Sequence, residues 1–521
     1  MPIDRYRSAP TPDPSVTEAA IDAIAPDQLR ALIRDIIPWL DGPTHARLVN
    51  GLVDRAARNT PEWAPPTPTA QAIDEIVSFA NVAIRIGHAD PAAVDHYLRQ
   101  GSNAFLARDY PAAAAILGAL LPPLDRGQID LGQHEMLDEV LGVSLIDCVT
   151  QYVVAVYMIG SIQSRAETVL AAIDEIRGFG GFSQPLRQME RIAIEKLPHF
   201  ERFVRDWCAL IEARARRERQ SERDSDVDRW QREVVERLEG ADGLARIGRS
   251  TKRADDLRAW CELLVAAKNW KRALSAHEEA AAIVSNKPQS VGEFLDGAAL
   301  AAQELGHGDL PVRLGHVWRT APSMARLCRW LGSATSKKDV LRRATDALAE
   351  CPGQAARQRA LLLVIVGNHH AAAEQLASAP GLGWSDSDHP GRLLFGLFSS
   401  LFVGTRFDAA SARSFEELLA TSKLDEPRLA EPDVASIIEL AGVTVPRSDE
   451  SREAVLSAMR KAAENRIAAV IEEKRRRHYA HAAKLAVTCS KIDSVAGSAW
   501  ITSIRRKYNR YPALQRELAK R

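Results

Sequence analysis

The sequence predicts an all-α protein of stacked antiparallel helical hairpins, arranged as an irregular α-solenoid in two lobes. The 521 residues are rich in Ala, and Phe, Trp and Tyr make up only 6% of them, a composition that favours helix over strand. Apolar residues recur with a helical period that Gly and Pro interrupt at short intervals. No alternating strand pattern is bounded by turns. The apolar run Leu361–Val366 would suit a strand, but the Ala and Arg residues before it favour a buried helix.

Composition sets the class of protein. Hydrophobic residues make up 46% of the chain and charged residues 26%, which excludes extensive disorder, a collagen-like fibre and a disulfide scaffold. The six cysteines are scattered, and no Cys-x-x-Cys pair occurs, as is typical of a reducing compartment. The N-terminus has no apolar signal region, and the uncharged stretch Cys148–Gln163 is shorter than the roughly 20 residues that span a bilayer. We therefore expect a cytoplasmic protein without membrane contact.

The N-terminal part is predicted to hold a mobile Pro-rich arm over residues 1–15 and a helical lobe over residues 16–211. In the lobe, Pro26 opens a helix whose apolar residues follow the helical period. Pro38 ends this helix because proline cannot donate the helical hydrogen bond. A second helix after Asp41-Gly42-Pro43 would complete a helical hairpin.

The composition changes abruptly in the middle of the chain. Residues 212–239 crowd charges of both signs, which predicts a charged connecting helix or hinge in solvent rather than a packed core. Short helical segments separated by turn signals resume over residues 240–447, which we predict to form a helical-repeat lobe. Residues 448–521 are predicted to form basic C-terminal helices.

Three segments share a degenerate hairpin pattern, with a small residue where two helices would cross and larger residues around it. They are Tyr97–Leu120, Leu257–Ala280 and Leu363–Ala379. The pattern resembles the tetratricopeptide repeat, which implies a helical-repeat solenoid. The frames start 160 and 99 residues apart, so they are not a clean array of repeats. Because any antiparallel helix pair with Ala at its crossing has this pattern, an irregular helical bundle stays open as the alternative.

Histidine clusters are the candidates for metal binding. His134 and Asp138 would share a helix face, but the helical zinc motif has a second His in place of Asp138. His478 and His481 are three residues apart, with Cys489 further along, and a fourth ligand is not apparent nearby. Polar surface residues are the favoured interpretation of both clusters. The sequence also has no phosphate-binding loop and no nucleophile elbow, so we predict a non-catalytic chain without cofactor or metal.

The C-terminal segment carries a strong charge asymmetry. The segment from Lys474 to Arg521 contains thirteen Lys and Arg residues but only two acidic residues, Asp493 and Glu517, so its net charge is +11. Because the whole chain is neutral, residues 1–473 carry −11. The residues predicted to contact phosphates are Arg475, Arg476, Arg477, Arg505, Arg506, Lys507 and Arg510. Tyr508 or Tyr511 would stack on bases, or these rings would simply pack the helices together. Alternatively, these arginines pair with the acidic body of the chain.

Two motifs in the basic tail carry a family resemblance. They are Arg476-Arg477-His478-Tyr479-Ala480-His481-Ala482-Ala483 and Arg506-Lys507-Tyr508-Asn509-Arg510-Tyr511-Pro512-Ala513-Leu514-Gln515-Arg516-Glu517-Leu518. The tail resembles the end of some bacterial SWIM zinc-finger proteins and of related helical-repeat proteins. The Cys-x-Cys and Cys-x-His of the SWIM module do not occur in the sequence, so a zinc-finger role is not carried over. The resemblance implies an all-helical bacterial protein whose tail closes the array.

These observations favour binding over catalysis. Arrays of helical hairpins present side chains to an extended partner, so we predict a scaffold or adaptor that binds another protein. The alternative is a nucleic-acid-associated protein that binds DNA or RNA phosphates through its basic C-terminal helices.

Overall fold

The computed structural model describes residues 14–60, 62–132, 137–180, 182–218, 223–408, 428–493 and 496–520. These residues fold into helices, and the one β-type pairing among them is an isolated bridge between His88 and Asp130. The prediction of an all-α protein is confirmed. No helix in these ranges is long and apolar enough to cross a membrane. Most of the predicted Pro-rich arm lies outside the described residues, and the first helix begins at Pro14.

The chain divides into two compact units, Met1–Gly243 and Leu244–Arg521. The first unit contains α1 (Pro14–Ala23), α2 (Pro26–Ile36), α3 (Gly42–Asn59), α4 (Ala70–Ile86), α5 (Pro91–Leu106), α6 (Tyr110–Asp125), α7 (Leu137–Val140), α8 (Leu145–Ile159), α9 (Arg165–Glu175), α10 (Pro185–Ile192) and α11 (Phe200–Glu218). Single 3-10 turns cover Ile37–Trp39 and Arg177–Phe179. Helix α12 (Asp226–Thr251) carries the chain from the first unit into the second and has a non-helical residue at Gly240.

The second unit continues as a succession of helices. They are α13 (Ala254–Ala266), α14 (Trp270–Ile283), α15 (Pro288–Glu304), α16 (Leu310–Thr320), α17 (Met324–Gly332), α18 (Lys337–Glu350), α19 (Ala356–Ile365), α20 (His369–Ala377), α21 (Pro390–Val403), α22 (Val434–Ala441), α23 (Asp449–Glu472), α24 (Tyr479–Ile492), α25 (Ala496–Lys507) and α26 (Pro512–Ala519). A 3-10 turn at Arg476–His478 leads into α24.

The three repeat frames recognised in the sequence are helical hairpins: α5 with α6, α13 with α14, and α19 with α20. Their crossing residues Ala113, Ala273 and Ala372 are fully buried. In the first hairpin, a Cβ at Gly101 would come within 2.7 Å of the Leu117 Cδ2 atom. Small residues therefore allow the two helices of a hairpin to approach closely.

One turn recurs in all three hairpins. Two residues after the end of the first helix, the backbone adopts a left-handed conformation. These residues are Arg108, Lys268 and Gly367, with φ of 65°, 52° and 79°. The next residue, Asp109, Asn269 or Asn368, caps the second helix by accepting a hydrogen bond from the backbone N–H three residues later. The capping oxygen satisfies one of the free N–H groups at the helix start. This turn joins the helices of each hairpin within three residues.

Replacing Lys268 by glycine is expected to stabilise the protein by about 0.5–1 kcal/mol, because glycine adopts the left-handed conformation without the Cβ clash. Lys268 is exposed, so its side chain contributes little packing. The matched control is Gly367→Ala, which introduces that clash at the equivalent position and should destabilise by about 1 kcal/mol. The midpoint of urea unfolding measures both changes. A shift of both midpoints in the same direction would contradict this account of the turn.

Four hairpins follow one another at nearly constant spacing in the second unit. Their first helices begin at Ala254, Pro288, Met324 and Ala356, in steps of 34, 36 and 32 residues. Only the first and last of these were visible as sequence frames. The first helices of the two middle hairpins are 17 and 9 residues long, so the individual helices vary in length although the hairpins are nearly evenly spaced. The hairpins therefore form a more regular series than the spacing of the sequence frames indicated.

The structure differs from the expected solvated hinge at residues 212–239. Val227, Trp230 and Val234 of α12 are fully buried at helical spacing. The Trp230 indole N–H donates to the Phe182 carbonyl oxygen at 2.7 Å, and its ring lies 6.1 Å from that of Trp207. The high density of charge in this sequence obscured the narrow apolar stripe of α12. One face of a helix can be buried while its other faces remain charged. Residues 219–222, in the middle of this segment, lie outside the described residues.

Candidate anion-binding surface

The first predicted group of cations lies in the turn between α23 and α24. Two residues after the end of α23, Lys474 adopts a left-handed conformation with φ of 53°. The Arg475 N–H then donates to the Val470 carbonyl oxygen at 2.8 Å. This is the same kind of turn as in the hairpins, without an Asp or Asn cap. Arg475, Arg476 and Arg477 are exposed and form no ion pair with a described carboxylate.

The second predicted group lies at the end of α25. Arg505 donates from Nη2 to the Leu518 carbonyl oxygen at 2.5 Å, so it links α25 to the end of α26. Arg506, Lys507 and Arg510 are exposed, and none of them pairs with a carboxylate in the described chain. Arg505 therefore has a hydrogen-bond partner in α26. The Lys507 Nζ atom lies 5.3 Å from the centroid of the Tyr508 ring, and Arg506 and Arg510 are exposed.

Tyr508 does not have the exposed ring expected for base stacking. It is only 8% exposed and belongs to the core with Leu514 and Leu518. The reason is its position directly after α25, where it continues the buried stripe of that helix seven residues after Ile501. Tyr511 is 38% exposed, and its ring centroid lies 6.4 Å from that of Tyr508. Of the two rings, only Tyr511 keeps a surface for stacking.

A cleft of about 590 Å³ opens beside the first group of cations. It is lined by basic side chains from three helices: Arg392 of α21, Arg466 of α23, and His481 and Lys484 of α24, with His478 at its edge. No Asp or Glu is among its lining residues. Of these residues, the sequence pattern singled out His478 and His481 as possible ligands and counted Lys484 among the basic residues of the tail. Arg392 and Arg466 gave no signal, because each is a single arginine in a helix without other distinguishing residues.

The cleft has a strongly positive character that affects its histidines. Burial and the nearby charges of Arg466, Arg392, His478 and Lys484 lower the pKa of His481 to about 4. The pKa of His478 is also lowered, by loss of solvent and by neighbouring arginines that include Arg475. Both lowered pKa values favour the neutral imidazole, because loss of solvent disfavours the charged ring and the nearby cations repel it.

Zinc binding by His478, His481 and Cys489 finds no support in the geometry. Cys489 is buried, and burial raises its pKa to about 12, so the thiol stays protonated at neutral pH. Within the described ranges, no three His, Cys, Asp or Glu side chains converge as metal ligands would. The other candidate cluster begins at His134, which lies outside the described residues.

Comparisons with known proteins leave the family open. No family model matches the chain, and none of the curated proteins matches it. Among solved structures, a circular tandem repeat protein with a novel repeat topology and enhanced subunit contact surfaces is 16% identical, covering 94% of this chain and 89% of that chain, with a TM-score of 0.16. At this TM-score the similarity carries no argument about fold or function.

Proposed function

We propose that the protein is a non-catalytic scaffold or adaptor of the tetratricopeptide-like class, and that its hairpins between Ala254 and Ala377 bind another protein. The near-regular hairpin spacing supports the proposal, because tetratricopeptide repeats have a period of about 34 residues. Stacked hairpins of this kind present continuous binding surfaces. A cytoplasmic location and a bacterial source remain predictions.

Ion pairs between successive hairpins are the observation that carries this proposal. Arginine and carboxylate groups 30 to 35 residues apart in sequence bridge one hairpin to the next: Arg258 to Glu293, Arg313 to Glu278, Arg326 to Asp296 and Arg319 to Glu350, at 2.5–2.7 Å. Each exposed pair contributes at most about 1 kcal/mol. Their repetition nevertheless holds neighbouring hairpins in a fixed register, as a rigid binding surface requires.

Affinity capture from the native host with the full-length chain tests the scaffold function. We expect a recurrent protein partner, and hydrogen exchange of the purified complex should show added protection within residues 254–377. The basic C-terminal helices serve as the internal control, since their exchange should be unchanged. Failure to recover any protein partner, together with clear turnover in a broad substrate screen, would contradict the proposal.

Nucleic-acid binding is a second candidate, favoured by six exposed cations of the basic tail that pair with no carboxylate in the described part of the chain. They are Arg475, Arg476, Arg477, Arg506, Lys507 and Arg510. Cations already neutralised by carboxylates would gain little from a phosphate backbone, whereas free ones release counterions on binding. Of Tyr508 and Tyr511, only Tyr511 has a partly exposed ring that could stack on a base.

The salt dependence of binding tests this candidate. Replacing Arg475, Arg476 and Arg477 by Gln should weaken binding to all sequences and reduce the slope of log affinity against log salt by about one per lost contact. As the control, Arg505→Gln should lower the unfolding midpoint, because the Leu518 carbonyl loses its donor, and leave the slope unchanged. A wild-type chain that shifts neither DNA nor RNA at low salt rules out this function.

A further inference from the structure

We propose that the basic cleft of the second unit binds the phosphate group of a small phosphate monoester. The cleft lies among α21, α23 and α24 and is separate from the hairpins assigned to a protein partner. Its function does not depend on the scaffold proposal. Three observations carry it: a buried arginine without a carboxylate, a buried histidine nitrogen without a partner, and the size and walls of the cavity.

The arginine is Arg466, whose side chain is only 4% exposed. Its Nη1 donates to the Gly381 carbonyl oxygen at 2.9 Å, while its buried Nε has no hydrogen-bond partner. No described carboxylate forms an ion pair with it. Removing a guanidinium from water without a counter-charge is energetically unfavourable, so such a group is usually paired. An anion in the cleft would supply the missing charge and acceptor.

The histidine is His481, whose buried Nδ1 has no partner. Its ring packs edge-on against Trp384, with centroids 5.3 Å apart, which fixes its orientation. The neutral imidazole has one N–H donor and one acceptor nitrogen. Burial and, to a lesser extent, the surrounding cations keep the ring neutral. A dianion would accept a hydrogen bond from it and reduce the repulsion among those cations.

The cavity is larger than phosphate alone requires. Its volume of about 590 Å³ is in the range of sites for small molecules. Trp384 and Phe395, each 5% exposed, form apolar parts of its lining. A dianionic phosphate matches the charges of Arg392, Arg466 and Lys484, and an aromatic or apolar ester group matches the walls. A phosphate monoester combines both features.

Calorimetric titration of the full-length chain tests the proposal with inorganic phosphate, adenosine monophosphate and adenosine. We expect saturable binding of phosphate, tighter binding of the nucleotide, and no binding of adenosine. Lys484→Gln should weaken phosphate binding about tenfold, since one charged contact is lost. Lys491→Gln, an exposed lysine on the same helix outside the cleft, is the matched control and should bind normally.

Arg466→Met should abolish phosphate binding while retaining the volume of the side chain. Because this variant removes a buried hydrogen bond, Lys484→Gln carries the test if it does not fold. No saturable phosphate binding at low ionic strength would overturn the proposal, as would equal weakening by Lys484→Gln and Lys491→Gln. A single-stranded oligonucleotide without a terminal phosphate that displaces the nucleotide would also overturn it and assign the cleft to nucleic acid.

Discussion

Replacing Gly297 by alanine is expected to destabilise the second unit by about 3 kcal/mol, the cost of forcing an extra group into a close-packed interface. Gly297 lies in α15, where a Cβ would overlap the ring of His277 from α14. His277 is 9% exposed and packs near Phe294, with ring centroids 6.2 Å apart. The ring is therefore largely enclosed and can move aside only by displacing the residues packed around it. Urea unfolding of the full-length chain measures the change.

Two further variants separate the clash from a loss of glycine flexibility. Gly308→Ala is the matched control, because a Cβ there meets nothing within 4 Å, and its midpoint should be nearly unchanged. Combining Gly297→Ala with His277→Ala should cost much less than the sum of the single changes, since the overlapping ring is absent. Strict additivity of the two substitutions would refute the steric explanation.

The second large effect is acid sensitivity caused by His277. Burial lowers its pKa from 6.5 to about 4, an effect that the nearby Glu293 opposes only in part. A group whose pKa is depressed by folding stabilises the native state above its unfolded pKa. That contribution is lost as the pH falls through the folded value. We expect the free energy of unfolding to decrease by about 3 kcal/mol between pH 6.5 and pH 4 from this residue.

His277→Leu is the variant that tests this origin. Neither ring nitrogen of His277 has a hydrogen-bond partner, so an apolar side chain of similar size breaks no hydrogen bond. Its stability at neutral pH should stay within about 1 kcal/mol of the wild type, and the decrease toward pH 4 should become smaller. His307→Gln, a change at an exposed histidine, should retain the full decrease. An unchanged pH profile in His277→Leu would show that another group causes the acid sensitivity.

Local features of the sequence were sufficient for the all-α class and for individual hairpins. The helix that begins at Pro26 and ends near Pro38 follows from the chemistry of proline, which acts within one helical turn. The apolar run that begins at Leu361 lies in α19 up to Ile365, as its neighbours in sequence indicated. Asn269 and Asn368 each cap the helix that follows them, by accepting a hydrogen bond from the backbone N–H three residues later. Backbone geometry of this kind depends on residues a few positions apart.

Burial and the grouping of charges were decided by the tertiary structure. The charge density near Trp230 predicted solvent exposure, yet that ring is fully buried. Tyr508, which lies among the cations of the basic tail, is also largely buried. Arg392, Arg466 and Lys484 meet in one cleft although nothing in their local sequence connects them. Composition and periodicity report the average environment of a helix face. The electrostatic environment of one side chain depends on which distant helices pack against it, because burial strengthens and solvent screens every charge interaction.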